Sequence, residues 1–188
     1  MAALGSLRGT GGEASLGISG GRIHFPRDSA CHGAQLSCDA ASPMSFDLQA
    51  ALDALPHGPS FRFLDELKSL IRGCEATASY LVRGDEAFLE GHFPDQPMMP
   101  GVILIEAIAQ LGGVVAQTDP EIPAMSDLRL TAVRAAKILG AAVPGDLLEI
   151  LAKVEGRLGG LVQIEGQVNG PAGVLASAKV TLSGTLAE

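Results

Sequence analysis

The sequence predicts an α+β fold in which one curled antiparallel sheet wraps around a single long apolar helix. Three observations carry this reading. From Val102 to Ala116 the only polar side chains are Glu106 and Gln110, so the segment reads as a helix apolar on almost every face. Four strand candidates then follow at regular spacing, over 128–138, 146–158, 161–169 and 173–182. Within them, 161–165 and 178–182 alternate apolar and polar residues, the mark of a sheet with one wet face.

A helix this apolar is either buried or membrane-spanning. The run is shorter than the roughly 20 residues a bilayer needs, and it contains a carboxylate, so burial in a folded domain is the reading and no transmembrane segment is expected. Pro100 stands in the first turn, where proline is tolerated. Glu106 and Gln110, four apart, share one helix face. One small sheet covers a fully apolar helix poorly, which points to a second subunit completing the burial.

The remaining elements follow in order. Residues 46–55 form a short amphipathic pattern with Ser45 as N-cap and Pro56 as its end. Phe61, Phe63 and then 67–71 read as a first strand, 75–82 as a second, and 87–89 as a short piece before a loop over 91–101. That loop holds Pro94, Pro97 and Pro100, too many interruptions for a helix or strand interior. Gly159-Gly160 and Asn169-Gly170-Pro171 are hairpin chemistry, and Val143-Pro144-Gly145-Asp146 is a tight corner.

Composition narrows the function classes. The chain has 188 residues, which suits one domain with or without an appendage, and 47% apolar content suits a well-filled core. Only 4% of residues are aromatic and none is Trp, so no stacking platform for nucleic acid is visible. A net charge of −8 also argues against nucleic acid and against an anionic membrane surface. Three scattered cysteines, Cys31, Cys38 and Cys74, suggest no disulfide framework and a reducing compartment. The start lacks a basic region followed by an apolar run, so a cytoplasmic location is expected.

Residues 1–43 differ from the rest. They are rich in Gly, Ser and Ala, lack helical or strand periodicity, and balance Arg8, Arg22 and Arg27 against Glu13, Asp28 and Asp39. The expectation is a disordered or mispredicted extension over 1–43, before a domain that begins at Met44 and runs to 188. His24-Phe25-Pro26 repeats a tripeptide found later, but no proline-glycine helix start follows it. Cys31, His32 and Cys38 match no common zinc spacing.

The chemistry gathers at one helix. A buried carboxylate at Glu106 requires a partner, because desolvating it costs several kcal/mol. The nearest candidate is His92, at the mouth of the same helix or of a symmetry mate. Carboxyl, imidazole and a free helix N-terminus together outline a general acid–base site. His57, near a turn, is read as a capping or surface histidine.

From His92 to Gln110 the sequence resembles the FabZ/FabA type of 3-hydroxyacyl carrier-protein dehydratases, which have the hot-dog fold. The matching residues are His92-Phe93-Pro94-Asp95-Gln96-Pro97, Met99-Pro100-Gly101-Val102 and Glu106-Ala107-Ile108-Ala109-Gln110. Leu55-Pro56-His57 and Val143-Pro144-Gly145-Asp146 match the FabZ branch in order and spacing, and glutamate at 106 favours that branch. The resemblance covers roughly 45–184. Two positions depart: Asp95 replaces the usual glycine, and Ile138 stands where the family commonly has phenylalanine.

The resemblance implies loss of water from a (3R)-hydroxyacyl thioester on acyl carrier protein, giving the trans-2-enoyl product in fatty acid biosynthesis. His92 would be the base and Glu106 the acid, while the Gly101 N–H would stabilise the thioester oxygen. Phe93, Met99 and Gln110 would contact substrate, and Met98, Met99 and Ile103 would either line an acyl tunnel or simply pack in the core. No metal or redox cofactor is implied. The histidine and the acid would come from different subunits of a homodimer or a trimer of dimers. Arg129, Arg134, Lys137 and Arg157 are candidate docking cations for the acidic carrier. The alternatives are a FabA-like dehydratase/isomerase, a hot-dog thioesterase and a non-catalytic acyl-binding module.

Overall fold

The computed structural model describes residues 47–93 and 95–186. Ser45, His24, Cys31, His32, Cys38 and the extension expected over 1–43 lie outside the described residues. Cys74 is disulfide-bonded, which corrects the expectation that no bridge forms.

The first helix, α1, is Leu48–Asp53. Its cap is Asp47, not Ser45: the Asp47 side chain accepts from the N–H of Gln49 at 2.9 Å and of Ala50 at 3.2 Å. A 3-10 turn over Pro59–Phe61 replaces the start of the expected first strand, because the proline fixes a helical φ there. The hairpin β1 (Glu66–Ile71) and β2 (Glu75–Leu81) follows. Residues 87–90 form a single helical turn, α2 (Ala87–Glu90), not an extended piece.

The central helix α3 runs over Gly101–Gln117. Leu104, Ile108, Leu111 and Val115 on it have no exposed surface. Its first turn is less covered, with Val102 67% exposed. Downstream come β3 (Met125–Ile138), β4 (Leu147–Leu158), β5 (Leu161–Gly170) and β6 (Gly173–Leu186). The four strands expected from periodicity are all present.

The six strands form one antiparallel sheet in the order β1-β2-β4-β5-β6-β3, with α3 packed against its apolar face. Glycine lets helix and sheet approach closely. A Cβ at Gly112 would stand 2.8 Å from Ile164 on β5, and one at Gly166 on β5 would meet Ile108 of α3 and the Leu151 carbonyl. The corner between β3 and β4 is tied by Asp146, whose Oδ2 accepts from the Val143 N–H at 3.0 Å. This helix-in-sheet arrangement is the α+β architecture expected from sequence.

Strand β3 lies at the sheet edge. Its pairing with β6 shifts register three times, and Asp127 and Ala135 near two of the shifts have positive φ. Such bulges twist an edge strand.

Candidate active site

Two groups of side chains are set along α3. The first sits at its N-terminus. The ring of His92 anchors back on the loop that leads into the helix, with Nδ1 2.8 Å from the Met98 carbonyl oxygen. Next along, the Met99 N–H donates to the Ala142 carbonyl at 2.8 Å, which fastens the loop to the β3–β4 connection. Phe93 packs edge-on against the His92 ring, centroids 4.6 Å apart, and holds a left-handed φ of 56°. That conformation is strained for an aromatic residue.

Gly101 opens the helix, and no side chain caps this end, so its N–H has no intrahelical acceptor. Space for a Cβ on Gly101 is already taken. Ile138 fills it, with Cδ1 2.5 Å from where that Cβ would be. The residue that departs from the family pattern thus bears directly on the glycine expected to stabilise charge.

The second group lies about 7.5 Å further along the axis, at 1.5 Å of rise per residue. Glu106 is half-buried there, with 21% of its side chain exposed, not fully buried as expected. Gln110 Nε2 donates to Glu106 Oε1 at 3.0 Å. The same amide donates to the Phe61 carbonyl at 2.9 Å and accepts from the Phe63 N–H at 2.9 Å. Both amide protons of Gln110 are thereby used. It holds Glu106 and the 59–63 segment, so the expected substrate contact by Gln110 has no free proton to draw on.

The imidazole beside Glu106 within the chain is His57, not His92: His57 Nε2 lies 3.4 Å from Glu106 Oε1. His57 therefore corrects the reading of a surface or capping residue. Its Nδ1 is buried with no hydrogen-bond partner, and its ring stacks on Phe61 with centroids 6.3 Å apart.

His57, Glu106 and Gln110 line a cavity of ≈ 590 Å³ that follows α3 past Ala109, Gly113 and Val114 to Thr118. Its other walls include Ala51 of α1 and Ala54 at its end, and Met125 and Leu128 at the start of β3. Sequence reasoning missed the α1 wall, since small residues on an amphipathic helix carry no functional signal. His92, Gly101, Met98, Met99 and Ile103 do not line it, and Met99, 2% exposed, is a core residue. Within the chain, the histidine group and the acid group stay apart.

Position separates the four candidate docking cations. Arg157 is not a free docking cation: it pairs with Asp119 at 3.2 Å and donates to the Ala116 carbonyl at 3.2 Å, closing the C-terminal end of α3. Arg129, Arg134 and Lys137 are exposed along β3. Among the described residues no cluster of three potential metal ligands occurs, and no helix is long and apolar enough to cross a membrane.

Residues 55–173 match the family model of the FabA-like domain. The 3-hydroxyacyl-[acyl-carrier-protein] dehydratase FabZ of Clostridium acetobutylicum is 32% identical over 130 residues, covering 66% of this chain and 92% of that protein. The corresponding FabZ of Polynucleobacter necessarius subsp. necessarius is 30% identical over 141 residues, 75% of this chain and 94% of its own. Among solved structures, the dehydratase heterocomplex ApeI:P of Xenorhabdus doucetiae matches with a TM-score of 0.60 at 20% identity, over 71% of this chain and 90% of that one. The protein smu.793 of Streptococcus mutans, solved with acetyl CoA, matches with a TM-score of 0.54 at 16% identity, over 71% and 97%. At such identities the structural likeness speaks to the shared hot-dog fold.

Proposed function

The chain belongs to the FabA-like family, among the FabZ-type 3-hydroxyacyl-[acyl-carrier-protein] dehydratases, and from that premise we propose that His92 and Glu106 are the base and acid of this hydro-lyase. The substrate is a (3R)-3-hydroxyacyl thioester on acyl carrier protein, and the reaction belongs to fatty acid biosynthesis.

One observation carries the assignment of the base. A carbonyl oxygen only accepts, so the 2.8 Å contact with the Met98 carbonyl requires a proton on His92 Nδ1. The neutral ring then keeps its lone pair on Nε2. An imidazole held in one tautomer by a backbone carbonyl is prepared to take a proton.

His92 Nε2 removes the α-proton, and the Cα–H electron pair becomes the new Cα=Cβ π bond by way of the enolate. The Cβ–O bond breaks, and the departing hydroxyl takes a proton from Glu106 and leaves as water. One proton has moved onto His92 and one has left Glu106, so a return transfer between the two resets the site. The Gly101 N–H, at the positive end of α3, stabilises the enolate oxygen.

The two groups meet across subunits. In support of this, they stay apart within one chain, while β3 offers an unpaired edge with Val133 45% and Ile138 54% exposed. Apolar side chains on such an edge are a surface for a second copy. A homodimer is the smallest unit with a complete site, and a trimer of dimers would keep that site. The cytoplasmic location, docking of the carrier on Arg129, Arg134 and Lys137, and substrate contact by Phe93 belong to the same proposal. So does a domain running over 44–188.

The test is turnover of a (3R)-3-hydroxyacyl-acyl-carrier-protein followed by the conjugated enoyl absorbance. Loss of about 10²-fold or more in both His92→Ala and Glu106→Gln is the expected result. A silent wild type that still binds the carrier would point instead to a non-catalytic module, and release of free acid to a thioesterase.

A further inference from the structure

We infer that His57 is a positioning residue for the acid: together with Gln110 it holds Glu106 Oε1 as a hydrogen-bond acceptor, which leaves Oε2 to carry the proton given to the departing hydroxyl. The inference rests on the dehydratase reading above and concerns the acid half of its site.

Two nitrogens converge on one oxygen, Gln110 in a hydrogen bond and His57 in a longer ion-pair contact. Gln110 Nε2 lies 3.0 Å and His57 Nε2 3.4 Å from the same Glu106 Oε1. A carboxyl oxygen facing two N–H groups cannot also hold a proton without meeting them head-on, so in the acid form the proton resides on the other oxygen. That distinction matters for a general acid, because rotation of the carboxyl by half a turn would otherwise present either oxygen to the substrate.

His57 is suited to the donor role by what surrounds its other nitrogen. Nδ1 is buried and meets no donor and no acceptor. A proton there would be an unsatisfied buried N–H, which costs about 1–3 kcal/mol, so the ring keeps its proton on Nε2, toward Glu106. His92 is held in the opposite tautomer by the Met98 carbonyl. The two histidines therefore have different work: one presents a lone pair and the other an N–H. Stacking on Phe61 steadies the His57 ring, and Phe61 is itself tied to Gln110 through its carbonyl. The three residues form one support for a single carboxyl oxygen.

The other charged groups lining the cavity are Asp127 and Arg129, exposed on β3 and paired with each other at 3.7 Å. Their pairing turns them to each other, so the support depends on His57 and Gln110.

The test compares four substitutions in the full chain. His57→Gln keeps an N–H near the Nε2 position, whereas His57→Asn places its amide nearer Nδ1 and His57→Phe keeps only the ring. The expectation is that Gln stays within a few-fold of wild-type kcat. Asn and Phe should fall by about tenfold or more, with KM changed by less than about threefold. Because His57 acts through Glu106, adding His57→Phe to Glu106→Gln should cause no further loss.

Wild-type kcat in both Asn and Phe variants would overturn the inference. So would a Gln variant as slow as Phe, which would make the ring itself a proton carrier, or a Phe loss that multiplies onto that of Glu106→Gln. Should the Phe variant not fold, the Gln and Asn pair decides alone. If Glu106→Gln keeps full activity, the assignment of the acid has failed, not merely the role of its neighbour.

Discussion

Gln110 and Glu106, one turn apart on α3, are joined by a 3.0 Å hydrogen bond, and the same Gln110 amide clasps both Phe61 and Phe63. A single side chain thus couples the candidate acid to the segment between α1 and β1. It does so while only 2% exposed, which an amide tolerates because every proton it carries is matched.

Replacing Gln110 with Leu should therefore damage stability and turnover together. The buried Phe63 N–H would lose its acceptor, at about 1–3 kcal/mol, and Glu106 would lose its closest donor. Urea unfolding should show a lower midpoint with little change in slope, and kcat should drop even where the variant is fully folded. An unchanged midpoint would contradict the clasp.

The proposed sharing of the site between subunits makes its own prediction. Dimers formed randomly from His92→Ala and Glu106→Gln chains include mixed pairs with one wholly intact site. Each parent should be nearly inactive, while the mixture should recover about a quarter of wild-type turnover. A mixture no more active than its parents would place both residues in one subunit.

Close approach of helix and sheet at Gly166 should be sensitive to one methyl group. A Cβ there would stand 2.8 Å from the Leu151 carbonyl and press on Ile108. Gly166→Ala should lose about 1–3 kcal/mol by overpacking, measured by denaturant unfolding. Adding Ile108→Ala should recover part of that loss relative to the sum of the two single changes, since the methyl gains room on the helix side.

The acid sensitivity of the β2–α2 corner follows from Glu86. Burial alone would raise its carboxyl pKa, but the N–H groups of Arg83 and Gly84 and the Tyr80 hydroxyl outweigh this and hold it below its ordinary 4.5. Burial, and next the Glu86 charge, in turn push the Tyr80 hydroxyl well above its usual range. A carboxyl whose folded pKa is depressed adds stability above its unfolded value and loses it as pH falls through the folded one. Glu86→Gln should lower Tm at pH 7, and the gap to wild type should close as pH drops below about 4.5. A gap independent of pH would show that shape, not charge, matters there.

Much of the fold was legible because its signals are local. The apolar run of α3, the proline before it and the alternation in β5 and β6 each lie within a few turns of chain, and the structure has these elements where periodicity sets them. Local reasoning erred where elements are short. Residues 59–61 and 87–90 became single helical turns, since a handful of apolar residues does not distinguish strand from turn. Asp47 took the cap expected of Ser45, a shift of two residues along equally suitable side chains.

By itself the sequence determined which groups are proposed to carry chemistry: an imidazole, a carboxyl and a free helix N-terminus, with Glu106 and Gln110 on one face by the pitch of the helix. Only the tertiary structure decided who stands beside whom. His57 reaches Glu106 across 49 positions of sequence, and Arg157 turns inward to Asp119, because both contacts depend on how α3 seats in the sheet. Periodicity is written in neighbouring residues, whereas contacts between distant ones are set by packing, and no stretch of chain read alone contains them.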